Sequence, residues 1–427
     1  MLRVLFLAVS LTASASQALA QDVLRGHGGP IRAMAVSAEK RELVSGSFDS
    51  TVIVWDLERN AAKRVLRFHN GPVNSVALLS GGCIASGGED RRIAIWCGEL
   101  AKPQRVLEGH EAPVTALSAV GGDLVSGSFD GTVRVWDLSG RRTPETVATH
   151  KGAVAAVAPI LDTAGRGMGL VTGGSDGTLT LMAPHVDERM QLDAPATALA
   201  DAGAELIVAS ADGQLRFVGR GRAVTAMEID TIPLASLALS PDGNLIATAG
   251  LRGGIVIVAR ESRKILHRLT GPGLPVWSLA FDGDSRTLFS GGADRVIRRW
   301  DAISGKALTS TFPERDIVAE AASGGERGAV VFRACQACHT LSADGGNRAG
   351  PTLYRVFGRR IGTQPGYDYS DALRGMQIVW SRETIARLFE IGPTAYTPGT
   401  KMPEQTINDP ADRTALVDWL ERVTAAR

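Results

Sequence analysis

Four cysteines and seven histidines occur in the 427 residues, and two of the cysteines stand beside a histidine in the run Cys335-Gln336-Ala337-Cys338-His339. Two thiols three positions apart suit addition across the two vinyl groups of a haem. The imidazole that follows, His339, then lies under the iron as proximal ligand. Two other chemistries use related spacings: a dithiol redox pair and half of a zinc site. A zinc site needs a second close Cys or His pair. The nearest other cysteine is Cys97, 238 residues before Cys335, and no histidine follows His339. The motif is therefore read as the attachment site of one covalently bound haem c.

The residues around the motif extend this reading. Gly328 to Ala334 reads as a helix leading into it. Downstream come Gly350-Pro351-Thr352-Leu353, then Val356 to Gly362, Pro365 to Asp371, Trp380, and Tyr396-Thr397-Pro398-Gly399-Thr400-Lys401-Met402-Pro403. Asp409 to Val423 reads as an amphipathic helix with Leu416, Val417, Trp419 and Leu420 on its apolar side. Taken together the segment resembles a class I cytochrome c of the mitochondrial type over its whole length.

The resemblance implies a small all-α fold, Met402 as distal iron ligand, and Pro351 as the carbonyl that accepts the free N–H of His339. It also implies that Arg359, Tyr369 and Trp380 contact the haem propionates. A His339/Met402 pair favours ferrous iron and raises the reduction potential. Filled axial positions leave no open site for substrate, so the expected activity is one-electron transfer and no catalytic residue is assigned. Three features depart from the family. Leu388-Phe389 stands where a tyrosine is common near the distal ligand, Leu373 replaces a polar residue, and Lys401 is the segment's only lysine. From Glu314 to Arg427 there are 14 basic and 14 acidic residues, so strong electrostatic steering of a partner is not expected.

The elements before this segment repeat. Leu43-Val44-Ser45-Gly46-Ser47-Phe48-Asp49-Ser50-Thr51-Val52-Ile53-Val54-Trp55-Asp56 recurs almost unchanged from Leu124 to Asp137. Variants follow at Ile84 to Trp96, Leu170 to Met182, Ile207 to Val218, Leu245 to Val258 and Leu288 to Asp301. Each copy reads as two strands around a polar turn, with a period near 40 residues. The Gly-His starts, as at Gly26-His27, and the Trp-Asp ends resemble the WD-repeat family. Seven copies over residues 22–312 imply a seven-bladed all-β propeller, although Met182, Val218 and Val258 replace tryptophan in copies four to six. The resemblance further implies buried sets joining His27, Ser45, Asp49 and Trp55, then His69, Ser86, Asp90 and Trp96, then His110, Ser126, Asp130 and Trp136. Their recurrence marks them as structural. His185 and His267 are left without a motif. Either Val23-Leu24-Arg25 or Lys306 to Phe312 supplies the strand that closes the ring. Cys83 and Cys97 flank the turn at Asp90 and are either a disulfide or two buried thiols.

Bulk properties bound the function. The formal net charge is +1, without the basic surplus that nucleic-acid binding needs. Arg3, the apolar run Val4 to Leu11 and Ala18-Leu19-Ala20 form a signal peptide over residues 1–20, and no later stretch is apolar enough to span a membrane. The mature chain is expected in the periplasm. Residues 313–325 read as a linker of roughly 20 Å if flexible, and residues 326–427 as the cytochrome domain, folding with haem by itself and free to swing. The propeller is then expected to dock redox partner proteins and to add nothing to the haem chemistry. Two other functions fit the same motifs: an electron-entry part of a periplasmic oxidoreductase whose propeller holds a second cofactor or substrate, and a haem-containing interaction scaffold.

Overall fold

The computed structural model describes residues 23–427 except 101, 162–166, 184–185, 220, 222, 309–316, 337, 343–344 and 426–427. The expected signal peptide, residue His185, motif residue Ala337 and the stretch 309–312 therefore lie outside the described residues.

Seven antiparallel sheets follow one another along the chain. The first contains Ile31–Ser37, Glu42–Ser47, Thr51–Asp56 and Ala61–Arg67 in spatial order. The first strand of each sheet packs against that of the next, and the seventh, Val276–Phe281, packs against Ile31–Ser37 of the first, so the sheets form a closed seven-bladed propeller. The Ser-Gly pair of the repeat has a packing cause. A Cβ on Gly46 would lie 2.7 Å from Val73 in the next blade, one on Gly127 2.5 Å from Val154, and one on Gly291 2.9 Å from Ile31 across the closing seam. These distances are well inside ordinary contact, so only a bare backbone lets neighbouring blades approach.

Both candidates for ring closure contribute. Val23–Arg25 pairs with Arg298 to Val296, and Lys306–Ala307 pairs with Asp301 and Trp300 further along the same strand. Together they cover an edge that would otherwise expose unpaired backbone groups. Cys83 and Cys97 are joined by a disulfide with Cα atoms 4.3 Å apart.

The C-terminal part is helical: α1 (Ile317–Ser323), α2 (Arg327–Phe332), α3 (Asp371–Gly375), α4 (Arg382–Ile391), α5 (Pro393–Tyr396) and α6 (Pro410–Thr424). Of the expected linker of residues 313–325, positions 313–316 lie outside the described residues, and the remainder is not a flexible tether. Within it α1 is helical, and its Val318 and Ala322 are buried in one core with Phe332, Leu388, Phe389, Leu416, Trp419 and Leu420. The small apolar residues of α1 are spent on that core, a use that Ala/Gly richness does not reveal. Helices α2 and α6 cross closely because Gly328 has no Cβ; one would lie 2.2 Å from the Ala415 carbonyl oxygen. Asp409 caps α6 by accepting from the Ala411 N–H, and Arg327 reaches both Asp409 (2.6 Å) and Asp412 (2.5 Å). Each large side chain that α6 buries contributes about 1.5–3 kcal/mol.

The helical part does not swing free of the propeller. The Ala349 N–H donates to the Gly26 carbonyl (2.9 Å), Lys401 Nζ donates to the His69 carbonyl (3.2 Å), and Arg67 Nη2 donates to Tyr367 Oη (2.9 Å) and to the Ala349 carbonyl. The loops of the first two blades are the surface that receives it.

Candidate haem-binding site

A cavity of about 530 Å³ lies where the helical part meets these blades. Its position follows from short elements. After α2 the chain turns tightly, with Cys335 N–H donating to Phe332 O (2.8 Å) and His339 N–H to Cys335 O (3.0 Å), which brings Cys335, Cys338 and His339 to one wall. Met402 enters from the loop after α5, where its N–H donates to Thr400 Oγ1 (3.1 Å). Leu353, Ile361, Leu388, Phe389 and Leu416 make the lining mainly apolar.

His339 is held in a defined tautomer. Its Nδ1 lies 2.7 Å from the Pro351 carbonyl oxygen, which accepts only, so Nδ1 carries the proton and Nε2 keeps its lone pair. Burial lowers its proton affinity, and the Pro351 bond only partly opposes this. Gly350 lets the ring lie against the backbone, since a Cβ there would be 2.3 Å from His339 Cε1. Burial pushes the Cys335 thiol up to about 12 and the Cys338 thiol to about 11, so both are kept as neutral thiols. Two thiols, one imidazole nitrogen and one thioether in an apolar cavity of this size form a donor set that fits haem.

The remaining expected contacts share the cavity. Arg359, Tyr369 and Trp380 all line it. Arg359 donates to Tyr354 O (3.2 Å), Thr352 O (2.7 Å) and Gln364 Oε1, which leaves two of its five N–H groups for a ligand. Burial pushes the Tyr369 hydroxyl to about 12, so it stays a donor. Tyr367 packs edge-on against Tyr369 with ring centres 4.6 Å apart, and burial raises its hydroxyl pKa too.

Part of the lining belongs to the propeller. Gly28, Phe48, Asp49, Ser50, Arg67 and His69 also line the cavity. This overturns the expectation that the propeller takes no part in the haem pocket. Gly28 carries a signal legible by comparison between blades. The residue after the blade histidine is Gly28 in the first blade but Asn70, Glu111 and Lys151 in the next three. A Cβ at Gly28 would lie 2.5 Å from Cys338 Sγ. Arg67 carries no such signal, because an arginine ending an outer strand is ordinary surface chemistry.

The blade sets are closed hydrogen-bond chains. Trp55 Nε1 donates to Ser45 Oγ (2.7 Å), Ser45 Oγ meets His27 Nε2 (2.7 Å), and His27 Nδ1 meets Asp49 Oδ2 (3.0 Å). A neutral histidine with its proton on Nδ1 satisfies every group. The second and third blades repeat this through Ser86 and Ser126. His150 of the fourth blade escaped the motif because Met182 replaces the tryptophan; its Nε2 still meets Thr172 Oγ1 (2.8 Å), and Asp176 is 3.5 Å from Nδ1. His267 Nε2 lies 2.8 Å from the Ile303 carbonyl, and no group of three or more metal-binding side chains occurs among the described residues.

A seven-bladed propeller joined to a helical haem pocket defines the class. Comparison with known proteins specifies each half. The family model "WD domain, G-beta repeat" matches residues 20–56, 61–97, 101–137 and 263–301, the stretches that end at or near Trp55, Trp96, Trp136 and Trp300. The solved WD40 β-propeller domain of Doa1 superposes with a TM-score of 0.58 at 22% identity, covering 65% of this chain and 94% of that one. The model "Cytochrome c" matches residues 325–424. Cytochrome c of Cochliobolus lunatus is 41% identical over 100 residues, 23% of this chain and 92% of the relative. That of Arabidopsis thaliana is 41% identical over 100 residues and 88% of its length, and that of Gibberella zeae 38% over 105 residues and 98%. Through its C-terminal hundred residues the chain belongs to the cytochrome c family, a haem-binding family of electron carriers, and it carries that domain behind a WD-repeat propeller.

Proposed function

We propose that this chain is an exported, periplasmic c-type cytochrome that carries one electron at a time. The cofactor is a single haem joined to Cys335 and Cys338, with His339 and Met402 as axial ligands. The observation that carries the reading is the convergence of these four side chains on one apolar cavity. One-electron transfer is the chemistry the haem supplies when bound. Pro351 fixes the His339 ring with Nε2 unprotonated, as a metal ligand must be. The apolar lining excludes water and disfavours the more charged ferric state, and the Met402 thioether acts in the same direction. Arg359, Tyr369 and Trp380 hold the propionates. The cytochrome domain spans residues 326–427, joined to the propeller of residues 22–312, and the propeller surface left clear of the helical part is the docking face for redox partner proteins.

Expression with its own leader in a bacterium that matures c-type cytochromes tests the reading. The periplasmic protein should gain the mass of one haem that resists acid–acetone extraction. Replacing Met402→Ala should lower the midpoint potential and let carbon monoxide bind the ferrous protein, which the parent should refuse. Extractable haem, or a variant with the parent's spectrum and potential, refutes the assignment.

A further inference from the structure

Four charged side chains line the cavity: Asp49, Arg67, Arg359 and Lys401. The carboxylate of Asp49 is already engaged, accepting from the Gly28 N–H (2.7 Å), the Thr51 N–H (2.9 Å) and the Thr51 hydroxyl (2.6 Å) while it faces His27. Three cations thus share the cavity with one carboxylate, which its hydrogen bonds keep ionised. Arg67 is distinctive among them because it comes from the other domain, at the end of the first blade's outer strand Ala61–Arg67.

Docking the two domains accounts for only part of what Arg67 does. Its Nη2 donates to Tyr367 Oη and to the Ala349 carbonyl, and its guanidinium carbon lies 4.4 Å from the Tyr367 ring centre. Its Nη1, by contrast, is buried without a hydrogen-bond partner. An orphaned guanidinium N–H is costly. A negative or electron-rich group bound in the cavity removes that cost. Tyr367 also leans on Tyr369, so Arg67 reaches the expected propionate side of the cavity through that aromatic pair.

We propose that Arg67 is a positioning residue supplied by the propeller, whose charge biases the bound haem toward the ferrous state. This rests on the haem reading above. Oxidation adds one positive charge at the iron, and a fixed cation in a water-poor cavity opposes that charge. In a site of effective dielectric constant near 20, one cation near the haem changes the ferrous-to-ferric balance by up to about tenfold. The reduction potential of this cytochrome is then a property of the fusion and not of its helical domain alone.

The test uses the full-length haem-loaded protein, poised with redox dyes at the parent's midpoint. Replacing Arg67→Met should lower the ferrous-to-ferric ratio about five- to tenfold, tenfold being 59 mV for one electron. Replacing Arg67→Lys, which keeps the charge, should stay within about twofold of the parent. Amide exchange at Ala349, which bonds Gly26 across the boundary, reports whether the domains remain in contact. A drop in Met but not in Lys supports the proposal. Parent-like ratios in both variants overturn it. So does an equal drop in both accompanied by lost protection at Ala349, since contact and not charge is then at work. Failure to bind haem at all would instead refute the cofactor reading.

Discussion

Gly28 allows the contact between the two domains to be tested with one methyl group. In Gly28→Ala the new carbon would sit 2.5 Å from Cys338 Sγ, with the Asp49 side chain next at 3.8 Å. Non-bonded heavy atoms need about 3.5–4 Å, so the domains must part locally by about 1 Å. Conformation does not demand glycine here, since Gly28 is absent from the left-handed φ positions, and its counterparts Asn70, Glu111 and Lys151 carry side chains. Overpacking of this size costs about 1–3 kcal/mol, and opening the contact relieves it, so the opening equilibrium should rise about 5–150-fold. Native-state hydrogen exchange reads this directly at the Ala349 amide, bonded to the Gly26 carbonyl at 2.9 Å. The control is Gly29→Ala, whose Cβ would meet the Asp49 backbone nitrogen of its own blade at 2.7 Å; it should loosen the first blade. Unchanged Ala349 exchange in Gly28→Ala would refute the contact.

Two further outcomes follow from the blades. Ser45→Ala strips partners from both Trp55 Nε1 and His27 Nε2 and should cost about 2–5 kcal/mol. Ser290→Ala strips only Trp300 Nε1 (2.8 Å) and should cost about 1–3 kcal/mol; equal losses in urea-unfolding midpoints would contradict the closed chain. In acid, burial tends to raise the Asp49 and Asp130 carboxyls, but their histidine and threonine partners outweigh it and hold both at about 2. A depressed carboxylate stabilises the fold above its unfolded pKa near 4 and loses that contribution as pH falls toward 2. Tryptophan fluorescence should therefore show propeller stability falling between about pH 4 and 2, whereas a loss centred near pH 6 would point to histidine protonation.

The propeller was legible because its blades repeat both spacing and chemistry. The Trp55 and Trp136 copies are nearly identical, and the Ser-Gly pair recurs because each blade presses on the next. The cytochrome half was legible from Cys335, Cys338, His339 and the Thr400-Lys401-Met402-Pro403 run, where composition and order are tied to one cofactor. What the sequence hid lies between the halves. Arg67 and Asp49 look like ordinary strand-end and turn residues until the fold brings them to one cavity with residues more than 260 positions away in sequence. The linker failed for a related reason: Ala and Gly richness describes both a flexible tether and a helix packed by small residues, and Val318 and Ala322 chose the second. Ring closure was ambiguous because both termini of the repeat region carry strand-forming residues, and the seventh blade uses both.

The polar character of the boundary explains why fusion matters. The direct bonds found across it involve Arg67, Ala349, Tyr367, Lys401, Gly26 and His69. Covalent joining raises the effective concentration of the two surfaces to about the millimolar range, so such contacts are more populated within one chain than between separate molecules. The balanced charge of the helical part, 14 basic against 14 acidic residues from Glu314 to Arg427, fits this arrangement. Long-range attraction raises encounter rates between free partners; it is not needed for a surface that is always close by. The single lysine of the helical part, Lys401, is exposed yet donates its Nζ to the His69 carbonyl. Its one lysine charge thus serves the boundary with the chain's own propeller.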